Sequence, residues 1–435
     1  MQPWHKTILV LYFSILICDF GYAQKAVTER DTTKLYENIE DYAGRKKFTK
    51  LLHQLIFKPT TPASPKIKTK NRPAQKAYSN FEGKIIRKIH IETLDPFGYS
   101  IDDTAAVAQR LLSKIGNNLH IKSQQITIRN LLIIRKNQPF DALRAKESER
   151  LIRSMNYVTD VSFYVNTIPT NSDSVDIFIR VLDVWSLIPG GSTSTTGTTL
   201  KLIERNFIGL GHEFQNIYTR KYEEGTNAFS SNYSIPSIKN TYISARLHFG
   251  IDRYGNYSKM LGFERPFYSP LAKWAAGINF TQQFRNDSIR VDSSFFVAQQ
   301  FKFNTQDYWG GSAIRIFKGS SEFDRTTNFI SALRLLRVRY LEKPVAELDS
   351  ERVFTDENFY LASIGISTRN YARDKYIFRF GITEDVPTGN VFSLTGGYED
   401  KTDYNRYYFG ARVSFGNYRS WGYLSVRAFL NMGLF

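Results

Sequence analysis

Tyr407-Tyr408-Phe409-Gly410-Ala411-Arg412-Val413-Ser414-Phe415-Gly416 decides the fold class. Tyr407, Phe409, Ala411, Val413 and Phe415 alternate with Tyr408, Gly410, Arg412, Ser414 and Gly416, the period of a strand with two unlike faces. Two neighbouring stretches read the same way. Leu424, Val426, Ala428 and Leu430 oppose Tyr423, Ser425, Arg427 and Phe429, and Tyr376, Phe378, Phe380 and Ile382 oppose Arg379, Gly381 and Thr383. An arginine on the second face of each stretch implies a wet enclosure behind the polar face and lipid against the apolar one.

Composition agrees with that pattern without deciding it. The 435 residues are 42% hydrophobic and 15% aromatic, with 26 Tyr and 33 Phe against 4 Met. Mean hydropathy is −0.35, and barrel apolarity is spread over alternate residues instead of long runs. A secreted soluble β-sandwich would also be aromatic. Cys18 is the single cysteine, so no disulfide or cysteine-based metal site is expected in a processed chain. The net charge of +17 is dispersed: Arg45, Lys46, Lys47, Lys66, Lys68 and Lys70 lie near the N-terminus, and others alternate along strands. That distribution fits a solvated tail and a hydrated barrel interior better than a nucleic-acid surface.

Residues 1–23 read as a signal peptide, with His5 and Lys6 before an apolar core and Gly21-Tyr22-Ala23 as the cleavage site. Bulky Ile15, Leu16 and Ile17 before Cys18 argue against a lipoprotein. Residues 24–80 hold an amphipathic helix over Leu35 to Phe57, ended by Pro59, and a Pro/Lys/Thr-rich linker over Thr60 to Ala77. The helix is either a periplasmic docking element or a cover for its neighbour.

Residues 81–185 change pattern. A β-branched strand spans Lys84 to Thr93. Asp103 is placed to cap a helix through Leu112, a second helix covers Ile126 to Arg135, and a charged helix covers Ala142 to Met155 with Leu143, Leu151 and Ile152 inward. Val158 to Val165 and Val175 to Leu182 read as a hairpin. The order predicts a small α+β domain, one helical layer on one sheet.

This layout resembles a POTRA domain, the periplasmic module of the barrel-assembly (BamA-type) outer-membrane proteins, or bacterial surface-antigen family. The resemblance is carried by Gly83-Lys84-Ile85-Ile86-Arg87-Lys88-Ile89, Gln138-Pro139-Phe140-Asp141, Asn156-Tyr157-Val158-Thr159-Asp160-Val161 and the closing Asp183-Val184-Trp185. The stretch from Asp102 to Leu119 departs from a minimal POTRA, and one copy stands where the family carries several. Residues 186–435 resemble the family's barrel. Glu204 to His212 is similar to its early hairpin, and Thr383-Glu384-Asp385-Val386-Pro387-Thr388-Gly389 to a later turn.

Ile243, Ala245, Leu247 and Phe249 oppose Tyr242, Ser244, Arg246 and His248, and Phe295, Val297, Phe301 and Phe303 alternate more loosely. Leu333 to Tyr340 carries Arg334, Arg337 and Arg339 on both faces and fits no simple strand. At about twenty residues per strand and turn, residues 186–435 hold about a dozen antiparallel strands. No Arg-Gly-aromatic loop of the family type follows Phe415. The expectation is a barrel cut before its last strands, ahead of a smaller barrel ending on Phe435.

The parts of a hydrolase are missing. Gly310-Gly311-Ser312-Ala313-Ile314 fails as a nucleophile elbow, His212-Glu213 lacks a second zinc histidine, and no phosphate loop appears. Asp356-Glu357 and Glu384-Asp385 read as solvated loop carboxylates. No catalytic, cofactor or metal residue is assigned, and an enzyme is not expected. The fold expected is mainly β: an antiparallel transmembrane β-barrel behind a small α+β POTRA-like domain, in the outer membrane of a Gram-negative bacterium.

The resemblance implies insertion or translocation of polypeptides there. The partners would be outer-membrane lipid and, through the POTRA-like domain, unfolded outer-membrane polypeptides or periplasmic proteins. Val158 to Val165 or Lys84 to Ile91 would offer a sheet edge. Ser186 to Thr196, weakened by Pro189, Gly190, Gly191 and Gly197, would offer a barrel edge, though it also reads as a merely flexible start. The other readings are a passive pore made anion-favouring by Arg246, Arg379, Arg412 and Arg427, and a surface-exposed structural protein.

Overall fold

A computed structural model describes residues 78–168, 171–290, 296–349, 352–379, 382–402 and 404–434. The signal peptide, the Leu35 to Phe57 helix, the linker, Phe295, Phe380 and Phe435 lie outside the described residues. Two sheets organise what is described, one of three strands and one of thirteen.

The smaller sheet is built from β1 (Ile85–Leu94), and the chain then runs through α1 (Leu111–Leu119), α2 (Gln125–Arg129) and α3 (Ala142–Arg153). β2 (Val158–Ile168) and β3 (Asn171–Asp183) follow. The order is β1-β3-β2, with β1 parallel and β2 antiparallel to β3, so both strands expected at the edges are terminal. A register shift between Ile86 and Lys88 changes the phase of β1, which is why Ile86 and Ile91 both reach the core. There they meet Ile128, Phe140, Ile152, Val161, Phe163 and Ile177. The step Gln138-Pro139-Phe140 lies against the open side of β1, through Ile86 N to Gln138 O at 3.0 Å and Phe140 N to Lys84 O at 2.7 Å.

Two helix expectations need correction. Asp103 caps no helix: its carboxylate accepts from Ala105 N at 2.8 Å in a local turn, and the helix begins eight residues later at Leu111. Side chains that bond their own backbone compete with helix in this way. α2 ends at Arg129, six residues short of the expected end.

The large sheet is an antiparallel meander. It runs through β4 (Leu187–Ser194), β5 (Gly197–Phe207), β6 (His212–Lys221), β7 (Asn227–Ile235), β8 (Ser244–Ile251) and β9 (Tyr257–Arg265). β10 (Trp274–Arg290), β11 (Phe296–Arg315), a one-turn helix α4 (Glu322–Thr326) and β12 (Thr327–Glu342) come next. β13 (Glu357–Lys375), β14 (Thr383–Lys401), β15 (Tyr404–Arg419) and β16 (Gly422–Leu434) complete it. Each strand pairs with its sequence neighbours, and the order ends on β4 at one side and β16 at the other.

The sheet is strongly curled. Arg369 of β13 donates through Nη1 to Phe267 O, in the β9–β10 connection, at 3.1 Å. In a flat sheet β13 and β10 would stand about 14 Å apart. A cavity of about 580 Å³ is lined together by Arg246 of β8, Glu264 of β9, Asn279 of β10, Trp309 of β11, Arg334 of β12, Ser363 of β13 and Thr395 of β14. Seven consecutive strands facing one space make an inside and an outside.

Directly opposed residues of antiparallel strands share a face, so the register carries this assignment across the sheet. Inside are Ser363 with Thr395, Ser393 with Arg412, and Ser414 with Arg427. Outside are Ile364 with Leu394, Leu394 with Ala411, Ala411 with Leu430, and Val413 with Ala428. Tyr407, Val413, Leu430, Leu394 and Ile364 are all exposed. The alternation over Tyr407–Gly416 and Leu424–Leu430 is therefore an inner polar and an outer apolar face, the arrangement of a barrel that meets lipid.

The first stretch is different. β13 ends at Lys375 and β14 starts at Thr383, so Tyr376, Phe378, Arg379 and Ile382 belong to the connection between them. Tyr376 has a φ of 68°, and Glu384 accepts from Phe378 N at 2.9 Å and Arg379 N at 2.8 Å. Arg379 therefore lines no inner face. Thr383 to Gly389, expected as a turn, is the start of a 19-residue strand.

The awkward Leu333 to Tyr340 lies within β12. Arg334 points inward and pairs with Asp307 at 2.6 Å. Arg339 donates to Glu357 O at 2.8 Å. Arg337 is on the outer face but ten residues beyond Thr327, about 33 Å along the strand, near the far rim where a long cation can reach water.

Candidate functional site

Two places in the described structure gather polar side chains or leave backbone open: the seat of the small α/β unit on one end of the large sheet, and the sheet's two terminal strands.

The seat grows from α3. Its sequence Ala142-Leu-Arg-Ala-Lys-Glu-Ser-Glu-Arg-Leu-Ile-Arg153 carries charge on the side away from the small core, and Asp141 caps it by accepting from Arg144 N at 3.1 Å. That charged side is buried too. The β9–β10 and β11–β12 connections and the adjoining ends of β13 and β14 converge on this one helix, which is about 18 Å long. Ser269 Oγ donates to Glu147 at 2.8 Å, and Arg150 donates to Tyr268 O at 2.7 Å. Lys146 meets Glu322 at 2.7 Å, and Arg325 meets Asp141 at 2.5 Å.

Arg153 is the centre of the seat. Its side chain is 3% exposed and meets Glu149 at 3.0 Å, Asp160 at 3.3 Å and Asp385 of β14 at 2.6 Å. Burial alone would lower the Arg153 pKa, but the carboxylates of Asp385, Glu149 and Asp160 hold it above the ordinary value. Glu149 also takes Arg373 Nη1 at 3.2 Å and the Tyr78 hydroxyl at 2.7 Å. Burial and that neighbouring carboxylate push the tyrosine's pKa up. Arg150 stacks 4.3 Å from the Tyr371 ring. Glu384 and Asp385, expected as solvated loop carboxylates, are instead a turn clamp and the partner of a buried arginine. Asp356 keeps to the expectation, its side chain 42% exposed in the loop before β13, where it accepts from Tyr340 N at 2.9 Å. Arg153 and Asp385 lie 232 residues apart in sequence, and neither strand pattern nor spacing announces their pairing.

A second joint lies at the β5–β6 turn. Gly209 has φ +74° and brings its carbonyl within 2.8 Å of Gln124 N; a Cβ there would stand 2.4 Å from Lys122 O. Gly211, φ +70°, admits the Tyr157 ring, 2.6 Å from where a Cβ would be. The Asn206 to Gly211 run is thus shaped by contact with the small unit. Behind it sits a fully enclosed cluster. Asp183 accepts from Ser123 N at 2.7 Å and Ser123 Oγ at 2.8 Å, and His120 Nε2 lies 3.2 Å away. Asn206 Nδ2 donates to Ser123 Oγ at 3.0 Å.

Serine, histidine and aspartate meet here, but both partners bond to the carboxylate and the group is sealed from solvent, so the contacts are those of a joint rather than of a nucleophile and its base. Asp183→Ala would strand the buried Ser123 and His120 groups and is expected to cost about 3 kcal/mol. A shift of the urea midpoint reads this, and Asp183→Asn should recover part of it.

Other sequence candidates are dispersed. Ser312 is in β11, bonded to Ser331 at 3.0 Å, and His212 bonds Tyr233 at 2.7 Å. Among the described residues no three His, Cys, Asp or Glu are placed to hold a metal.

The terminal strands form the second place. β4, with Pro189, Gly190 and Gly191, pairs with β5 over its whole eight residues. The glycines do not prevent that pairing; a Cβ on Gly191 would stand 2.5 Å from Thr199 O, so the close approach depends on glycine. The other side of β4 has no strand against it among the described residues, nor has the outer side of β16. Of the lumen arginines, Arg246 pairs with Glu264 at 3.2 Å, Arg412 stacks on Phe429 at 5.6 Å, and Arg427 stands across from Ser414.

No protein-family model and no curated protein matches this chain. Solved structures that align with it include BamA from Haemophilus ducreyi lacking POTRA domains 1-3, at 11% identity over 80% of this chain and 81% of that one, TM-score 0.30. CdiB from Acinetobacter baumannii aligns at 10% identity over 94% and 78%, TM-score 0.32. CdiB from Escherichia coli aligns at 9% identity over 94% and 88%, TM-score 0.34. Likeness at this level lends nothing to a functional reading, which stands on the geometry above.

Proposed function

We propose that the chain is an outer-membrane β-barrel that offers the free side of β4 to incoming polypeptides, assisting their insertion or translocation. In this reading the chain divides into a POTRA-like periplasmic unit over residues 81–185 and a barrel over 186–435. The observation that carries the reading is the open strand order. A polar-lined, apolar-clad sheet ends on a short strand whose outer side meets no other strand among the described residues. In a bilayer such an edge has no water to satisfy it, so an added strand is strongly favoured. Backbone pairing is independent of exact side chains, which suits varied client polypeptides. The seat at Arg153 and the joint at Asp183 fix the POTRA-like unit beside the entry to β4. No step makes or breaks a covalent bond, and the reading is not enzymatic.

The test is assembly in vesicles. Purified chain in proteoliposomes should speed the folding of an added unfolded outer-membrane barrel, and a photo-crosslinker at Ser192 of β4 should trap that client. A crosslinker at Ser231 in mid-sheet should not. Equal trapping at both positions would sink the reading. The inner Arg246, Arg412 and Arg427 favour a second reading, a passive anion-favouring pore. A large steady anion-selective current with no folding activity would establish that one instead.

A further inference from the structure

The helix α1 is built the wrong way round for a soluble domain. Leu111, Leu112, Ile115 and Leu119 are 73%, 81%, 48% and 72% exposed. At 100° per residue they share one stripe about 100° wide. The opposite side meets Phe97 of the small unit through small and polar residues. Asn117 accepts from Phe97 N at 3.2 Å and donates to Phe97 O at 2.9 Å, and a Cβ on Gly116 would stand 2.8 Å from the Phe97 ring. A helix that docks through glycine and asparagine and displays leucines has its apolar partner outside the described chain.

Two further observations say what that partner is. The first is charge. From Thr104 to Phe140 there is no Asp or Glu, while Arg110, Lys114, Lys122, Arg129, Arg135 and Lys136 fall in the same span. Lys122 is paired with Asp95 at 2.9 Å; the apolar stripe together with the other basic residues of the span complements an anionic lipid surface. The second is continuity. The residues after α1 run into the joint at the β5–β6 turn, where Ile208 and Leu210 are themselves exposed. Phe97, which carries α1, lies 5.8 Å from Trp185, two residues before β4. The stripe therefore adjoins the rim of the sheet's outer apolar face, with an aromatic ring where headgroups would meet the sheet.

We propose that α1 is an interfacial helix. Its four apolar side chains lie in the headgroup–acyl boundary of the leaflet at the small unit's end of the sheet, beside the β4 edge, and the basic run holds anionic phospholipid headgroups. This rests on the reading of the large sheet as a membrane span. The helix would keep the bilayer in register with the open strand, so that a client leaving the small unit meets lipid and the β4 edge together.

The experiment uses the full chain with Cys18→Ser, carrying Leu112→Cys or, as a control on the exposed side of β1, Lys88→Cys. Each is labelled with an environment-sensitive dye and reconstituted into phosphatidylethanolamine/phosphatidylglycerol vesicles. Resistance to alkaline extraction reports separately whether the sheet is inserted. The expected result is a blue-shifted dye at position 112, quenched several-fold more by lipids brominated near the headgroup than the dye at 88. The quenching should weaken in vesicles without phosphatidylglycerol. An inserted sheet with the 112 dye still in water overturns the interfacial helix and leaves the barrel reading standing. A chain extracted by alkali overturns both. A 112 shift that needs an added soluble protein and ignores lipid overturns the proposal in favour of a protein partner.

Discussion

Arg153→Ala is expected to release the small unit from the end of the large sheet. The guanidinium is enclosed and meets Glu149, Asp160 and Asp385, so its removal leaves buried carboxylates facing one another. Breaking a buried pair by deleting one partner costs about 3–5 kcal/mol. Arg153→Lys should restore little, because one ammonium cannot reproduce the fork that reaches three carboxylates. Asp385→Asn should be costly alone but add little to Arg153→Ala, since each breaks the same contact. Denaturation followed at Trp185, with the heat-modifiable migration of the sheet as the second readout, separates release of the unit from collapse of the barrel. A midpoint for Arg153→Ala that matches the parent would show that the seat contributes nothing.

Locking β4 to β16 is expected to abolish client folding. With Cys18→Ser as background, Ser192→Cys on β4 and Ser425→Cys on β16 can be bridged by bismaleimides of graded length. If an incoming strand must pair with β4, a bridge short enough to cover that edge removes activity, and a cleavable bridge returns it. The lock adds a covalent bond at exposed strands and leaves the Arg153 seat and the inner charges in place. Unchanged client folding in the locked protein would separate function from the β4 edge and shift weight to the pore reading.

The strands were readable where register reinforces pattern. Tyr407–Gly416 and Leu424–Leu430 alternate over enough residues that a slip would turn every side chain to the wrong face, and the structure pairs them as that requires. Tyr376–Thr383 alternates too, but a run that short is also what a turn produces when Glu384 ties down two backbone amides. Local pattern likewise misplaced the helix near Asp103, where a side-chain bond to the backbone overrode the alanines that follow. The seat was not legible. Glu384-Asp385 looks like any surface acidic pair until folding brings Arg153 to it. Nor does a single sequence say that the leucines of α1 face outward, since the same spacing ordinarily marks a core face.

The most direct test of the account is a spin-label scan from Tyr407 to Gly416 of β15 in proteoliposomes, scored for collision with oxygen and with a water-soluble nickel complex. Period two is expected, with oxygen favoured at Tyr407, Phe409, Ala411, Val413 and Phe415 and nickel at Tyr408, Gly410, Arg412, Ser414 and Gly416. Uniform exposure to nickel, or a period near 3.6, would contradict it.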